Sequence, residues 1–180
     1  MIDPDVGALI LASLALLFAT ASWHKWRAPA EFEAVLLNYR LLPDPVAKPL
    51  RFGVPTLELA IAIGLLVAPT RAVAAVAGIA VLLGYAAAIG INLGRNRRDL
   101  DCGCGLRRDR RSIAPWMVGR NLLLAATLGG ALLPWSGRAL EAVDGLTIGG
   151  GVAILALLYL AIDQLLGEVR PRAAALKGPA

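Results

Sequence analysis

Two cysteines occur in the 180 residues, and they stand together as Asp101-Cys102-Gly103-Cys104-Gly105. Three chemistries suit such a pair: a redox dithiol, a soft-metal site, or two incidental thiols. Residues two apart can reach the Cα separation of about 4.4–6.8 Å that a disulfide needs, and Gly103 tolerates the backbone distortion. A ring so small is strained, and strain raises the reduction potential, which marks an exchanging disulfide and not a staple. Seven arginines (Arg95, Arg97, Arg98, Arg107, Arg108, Arg110, Arg111) surround the pair against three aspartates (Asp99, Asp101, Asp109). That excess of positive charge favours thiolate, the reactive form. Zinc asks for about four ligands, whereas Cu(I) accepts two soft sulfurs. His24, the sole histidine, is expected at the same membrane face and is a candidate third ligand. No Gly-x-Ser-x-Gly, second histidine or phosphate loop is present, so hydrolase and phosphotransferase chemistries have no footing.

A second group of polar residues lies inside apolar stretches: Glu58, Asn92, Arg120, Asn121 and Asp163. Polar groups in hydrocarbon need partners. Glu58 and Arg120 fall at similar expected depths and carry opposite charge, which predicts that they pair. The cluster reads either as hydrogen-bonded glue between helices or as a polar pocket for a quinone, a substrate thiol or a proton path.

The elements that must position these groups are membrane helices. The chain is 58% hydrophobic and 17% charged, with a mean hydropathy of +0.67, a composition that excludes an ordinary water-soluble domain. Charge-free stretches run over 6–23, 72–94, 121–137 and 145–162, and 52–70 is interrupted only by Glu58. At roughly 20 residues per crossing, they predict an all-α, polytopic transmembrane bundle of about five spans, at 6–23, 52–70, 72–94, 114–134 and 145–166. Residues 1–168 form one integral membrane domain and 169–180 a tail. Phe32, Val35, Leu36 and Tyr39 recur at helical spacing between Pro29 and Pro43, which predicts a short interfacial helix over 29–41.

Fifteen of the eighteen Lys and Arg residues fall in the segments after the first and third spans and in the tail. Arg71 and Arg138 lie on the other side, and Arg120 lies within a span. Positive-inside then places the Cys loop, 95–112, and the tail in the cytoplasm of a bacterial inner membrane, with the N-terminus outside. Asp3 and Asp5 precede the first apolar stretch and the basic residues follow it, the reverse of a secretory signal peptide. The net charge of +5 thus has a topological explanation, and the expected partner surface is the lipid bilayer, with no nucleic acid.

Trp23-His24-Lys25, Phe32 with Asn38-Tyr39-Arg40-Leu41-Leu42-Pro43, Leu57-Glu58-Leu59, Asn92-Leu93-Gly94-Arg95, the Cys-Gly-Cys loop and Gly119-Arg120-Asn121 together resemble the methylamine utilisation MauE family, a branch of the DoxX-like membrane proteins. Where that family usually carries an aromatic and a glycine after the second cysteine, Gly105 is followed here by Leu106 and arginines. The resemblance implies a four-helix DoxX-like core plus one span. It also implies a role in processing, export or disulfide maturation of the methylamine dehydrogenase small subunit, beside a thioredoxin-like partner or a disulfide-containing client. By the same resemblance Cys102 and Cys104 are the dithiol, and Glu58, Arg120 and Asn121 are framework or pocket residues. A thiol-redox factor, a Cu(I)-handling protein and a non-catalytic assembly partner remain the three functional expectations.

Overall fold

A computed structural model describes residues 2–97, 100, 113–139 and 141–175, and within the last stretch it leaves undescribed the side chains of 163, 164 and 166–175. Six α-helices follow in order: α1 (Pro4–Arg27), α2 (Pro29–Tyr39), α3 (Asp44–Leu66), α4 (Arg71–Gly94), α5 (Pro115–Gly130) and α6 (Ala142–Ala175). Among the described residues the one β-type contact is an isolated bridge between Ile2 and Trp135. The chain is an all-helical membrane protein. Among the described residues, four helices are long and apolar enough to cross a bilayer.

Local sequence explains where the helices begin and end. Asp3 caps α1, Pro4 occupies its first turn, and His24, Lys25 and Arg27 stand in its last turn, where cations oppose the negative end of the dipole. Pro29 stops α1 and starts α2. Arg40 then ends α2 in a left-handed conformation (φ 49°). The expected second span begins at residue 52, but α3 starts eight residues earlier, at Asp44, with Pro45 in its first turn. It runs unbroken past Pro49 and Pro55. The hydroxyl of Thr70 donates to the carbonyl oxygens of Gly64 (3.0 Å) and Val67 (3.1 Å), satisfying the end of α3 as the chain turns into α4.

The expected fourth span, 114–134, is helical over only 16 residues, Pro115–Gly130, or about 24 Å at 1.5 Å per residue. Met117, Asn121, Ala125 and Leu128 face inward against α4. The last helix overshoots expectation in the other direction, continuing through Ala175 into the region assigned to a tail.

Helices α1, α3, α4 and α5 build the main core from Leu11, Leu14, Phe18, Ile61, Leu65, Leu82 and Leu128. Gly78 makes this close packing possible. A Cβ there would lie 2.8 Å from Leu128 and 3.3 Å from both Ile61 and Phe18. Helix α6 packs mainly along α1 and leaves most of its apolar side chains over Ala142–Ile162 exposed, as a helix solvated by lipid does. At the end of the bundle opposite the Cys loop, Arg138 joins Asp3 (3.1 Å) and Asp144 (2.9 Å), tying the N-terminus to the α5–α6 connection.

Candidate functional site

The site begins with a stripe on α1. Leu11, Leu14, Ala15, Phe18, Ser22 and Lys25 recur three and four residues apart and are all buried, so they share one helix face. The stripe turns polar in its last two members. Ser22 Oγ donates to the carbonyl oxygen of Pro55 on α3 at 2.7 Å. Three residues on, where α3 has advanced to Glu58, Lys25 Nζ donates to Glu58 Oε1 at 2.8 Å and Oε2 at 2.9 Å. Lys25 and Glu58 are only 3% and 1% exposed. The Tyr85 hydroxyl on α4 donates to Glu58 Oε1 at 2.6 Å. Rings of Phe32 and Tyr85 flank the ammonium, each with its centroid 5.4 Å from Nζ. A buried ion pair is tolerable only when the remaining lone pairs and protons are satisfied, and here a phenol and two aromatic faces supply that.

Glu58 therefore takes Lys25 as its ionic partner, not Arg120 as the matched depths suggest. Lys25 lies just beyond the charge-free stretch and reads from sequence as a loop charge; α1 carries it inward on the buried face. Arg120 of α5 instead donates to the Tyr159 hydroxyl of α6 at 3.1 Å and lies over the rings of Trp116 (5.4 Å) and Tyr159 (6.0 Å). The two residues still meet at one place. His24, Lys25, Glu58, Tyr85, Arg120 and Asn121 all line a small cavity of about 50 Å³ between α1, α3, α4, α5 and α6. Asn121 is buried, and its Nδ2 has no hydrogen-bond partner among the described residues.

The remaining expected residues sit elsewhere. Asn92 is fully buried; its Nδ2 donates to the Ala88 carbonyl, and its Oδ1 accepts from Arg97 at 3.2 Å. It organises the end of α4 and takes no part in the cavity. Cys102 and Cys104 lie outside the described residues, as does the Asp163 side chain. The helices flanking the Cys loop nevertheless lead to the cavity. Arg120 stands five residues into α5, and Tyr85 nine residues before the end of α4, or about 8 and 14 Å along the helix axes.

Cavity size limits the chemistry. With about 10–15 Å³ needed per ordered water on this kind of measure, 50 Å³ holds a few waters or one terminal functional group, and no whole organic substrate. A carboxylate, an ammonium, two phenols and an amide donor around such a volume suit the holding or relay of a proton and the orientation of one small polar group. No group of three or more His, Cys, Asp or Glu side chains gathers among the described residues.

Lys25, Tyr85 and Tyr159 are members of the site that sequence reasoning misses. Lys25 carries a legible signal, since it continues the three-and-four spacing of the α1 stripe. Tyr85 carries a weaker one, lying three residues beyond Leu82 and seven beyond Gly78 on α4.

The family model for the methylamine utilisation protein MauE matches residues 4–136. A methylamine utilization protein MauE of Paracoccus denitrificans is 40% identical over 126 residues, 70% of this chain and 68% of its own. That of Methylophilus methylotrophus is 36% identical over 167 residues, covering 92% and 88% of the two chains. The Paracoccus versutus protein is 36% identical over 182 residues, covering 98% and 96%. No solved structure matches.

Proposed function

The chain belongs to the MauE family of methylamine utilisation proteins, and from that premise we propose that it serves methylamine utilisation as a membrane-embedded thiol–disulfide exchange protein acting on a disulfide-containing client. The observation that carries the reading is the Cys102-Gly103-Cys104 pair in its arginine-rich segment between α4 and α5. In the proposed cycle the Cys104 thiolate attacks a client disulfide, forming a mixed disulfide and releasing one client thiolate. The Cys102 thiolate then attacks the Cys104 sulfur, releases the second client thiolate and leaves a Cys102–Cys104 disulfide. Two electrons have passed to the client, and a thioredoxin-like partner restores the dithiol. Cys104 is assigned the attack because it lies nearer Arg107–Arg111, while Cys102 has Asp101 beside it. The buried polar cavity supplies a framework beneath the loop and a place to hold a proton as thiol and thiolate interchange.

Under this reading the protein sits in the bacterial inner membrane with its N-terminus outside and the Cys loop and C-terminus inside. Changing Cys102 to Ser should trap Cys104 in a mixed disulfide with its partner, visible on a non-reducing gel and lost with reductant. Normal client maturation by the Cys102→Ser/Cys104→Ser double variant, with no trapped species, would overturn the exchange role. Reporter fusions after residue 180 test the orientation. Activity of a periplasm-dependent reporter would move the dithiol to the outer face.

A further inference from the structure

A second cavity, of about 290 Å³, lies between α2, α3 and α4, and its lining is almost wholly apolar, from Val81 and Tyr85 at one end to Tyr39, Leu41 and Ile89 at the other. Val81 and Ile89 are eight residues apart on α4, so the cavity runs about 12 Å along the helix axis. Its volume stands at the lower edge of the ~300–1,000 Å³ typical of ligand pockets. Arginines gather at the Tyr39–Leu41 end. Arg40 sits between two lining residues and is exposed. Arg95 reaches the Arg40 carbonyl at 3.5 Å, and Arg97 reaches the carbonyls of Asn38 at 2.8 Å and Tyr39 at 3.5 Å. Among the described residues, none of these three guanidiniums pairs with a carboxylate.

The charge balance there is positive. The ends of α2 and α4 converge on the cluster and contribute roughly half a negative charge each, against three arginines, leaving about two positive charges unanswered among the described residues. An apolar slot capped by arginines that pair with no carboxylate among the described residues, in a chain that spans a bilayer, has the chemistry of one ligand class. We propose that this cavity binds an anionic phospholipid, one acyl chain lying in the slot toward Tyr85 and the phosphate held at Arg40 and Arg95. Arg97 is already committed to closing the end of α2, and its part is to fix the mouth in place. Basic residues between transmembrane helices at the membrane face are the recognised chemistry of such headgroup sites, and this mouth lies at the end of the bundle where Arg27 closes α1 and Lys48 stands in the opening turns of α3. The inference does not depend on the cysteines.

The test is native mass spectrometry of the purified full chain in detergent, exposed to equal amounts of phosphatidylglycerol and phosphatidylcholine with identical acyl chains. The expected result is preferential retention of phosphatidylglycerol, with Arg40→Gln and Arg95→Gln each lowering that preference about fivefold. Gly84→Leu should abolish retention of both lipids. Gly84 lines the cavity, and a Cβ there meets no atom within 4 Å, so the new side chain starts into open space and takes up volume of the slot. Equal retention of the two lipids, or arginine variants that leave the preference unchanged, would overturn the headgroup site. Retention that survives Gly84→Leu would overturn the slot. Thermal stabilisation by soluble glycerol phosphate equal to that by phosphatidylglycerol would also overturn it, since a phosphate site alone would then suffice.

Discussion

Removing one member of the Lys25–Glu58 pair should damage this protein more than removing both. Lys25→Met keeps the length of the aliphatic stem and deletes the charge. Glu58, 1% exposed, is then left with the Tyr85 hydroxyl as its remaining partner. Leaving one charge of a buried pair uncompensated costs about 3–5 kcal/mol. Glu58→Gln reverses the situation: Tyr85 keeps an acceptor, but the ammonium, 3% exposed, loses its counter-charge at similar cost. In the double variant both charges are gone and Tyr85 can still donate to the amide oxygen that replaces the carboxylate, leaving about 1–3 kcal/mol for an imperfectly satisfied amide. The singles should therefore sum to roughly 6–10 kcal/mol while the double loses far less, a coupling of about 3 kcal/mol or more. Unfolding in mixed detergent micelles, followed by tryptophan fluorescence, measures it; where a single variant does not accumulate, better accumulation of the double is the same result. A double that loses the sum of the singles, or a Lys25→Met loss below about 1 kcal/mol, would show that the pair is not the organising contact. The same cycle on Glu58→Gln and Arg120→Gln should give a distinctly smaller coupling, because the two share a cavity wall and no bond.

Gly78→Leu should cost at least about 1–3 kcal/mol by overpacking, because even its Cβ would meet Leu128 at 2.8 Å; a variant as stable as the parent in the same unfolding assay would contradict the packing of α4 on α5. Ser22→Ala should lose about 1 kcal/mol with the 2.7 Å bond to Pro55, and an unchanged midpoint would mean the bond contributes nothing. The Arg138 guanidinium, with help from Asp5, holds the Asp3 carboxyl below the usual carboxylate range. A depressed folded-state value means that the contribution is present above the unfolded pKa near ~3.9 and disappears as pH falls through the lower folded value. Acidification below about pH 4 should thus loosen the N-terminus, seen as faster amide exchange at Ile2, whose N–H donates to the Pro134 carbonyl; Asp3→Asn should lose that pH response, and retaining it would refute the assignment.

The helices were legible because hydrocarbon imposes a length and a composition that charge-free runs display directly. That Glu58, Arg120 and Asn121 would share a neighbourhood was legible too, since polar groups in lipid must converge, whereas Asn92, expected with them, bonds Arg97 at the end of α4 and His24 reads from sequence only as a companion of the cysteines. The pairing of Glu58 was not legible. In water the outward face of a helix is polar and its orientation can be read from the sequence. In lipid the outward face is as apolar as the core, so hydropathy says little about whether Lys25 points toward Glu58 or toward the headgroups. The α1 spacing of small and large residues held that information, but only packing against α3 gives it meaning. Likewise Pro45 marked where α3 starts, yet Lys48 and Arg51 made the first two turns read as a loop when charge alone set the boundary.

Tyr85 stands in the wall between the polar cavity and the apolar one, its hydroxyl on Glu58 and its ring against the acyl slot. One aromatic side chain is thus a member of both environments, and the two are thermodynamically linked through it. Any occupant of the slot that tilts the ring alters the phenol–carboxylate bond. By reciprocity, any change in the state of Glu58 alters the affinity of the slot by the same factor. Lipid composition and the electrostatics of the buried pair are then not separate properties of this protein, and a measurement of either reports on the other.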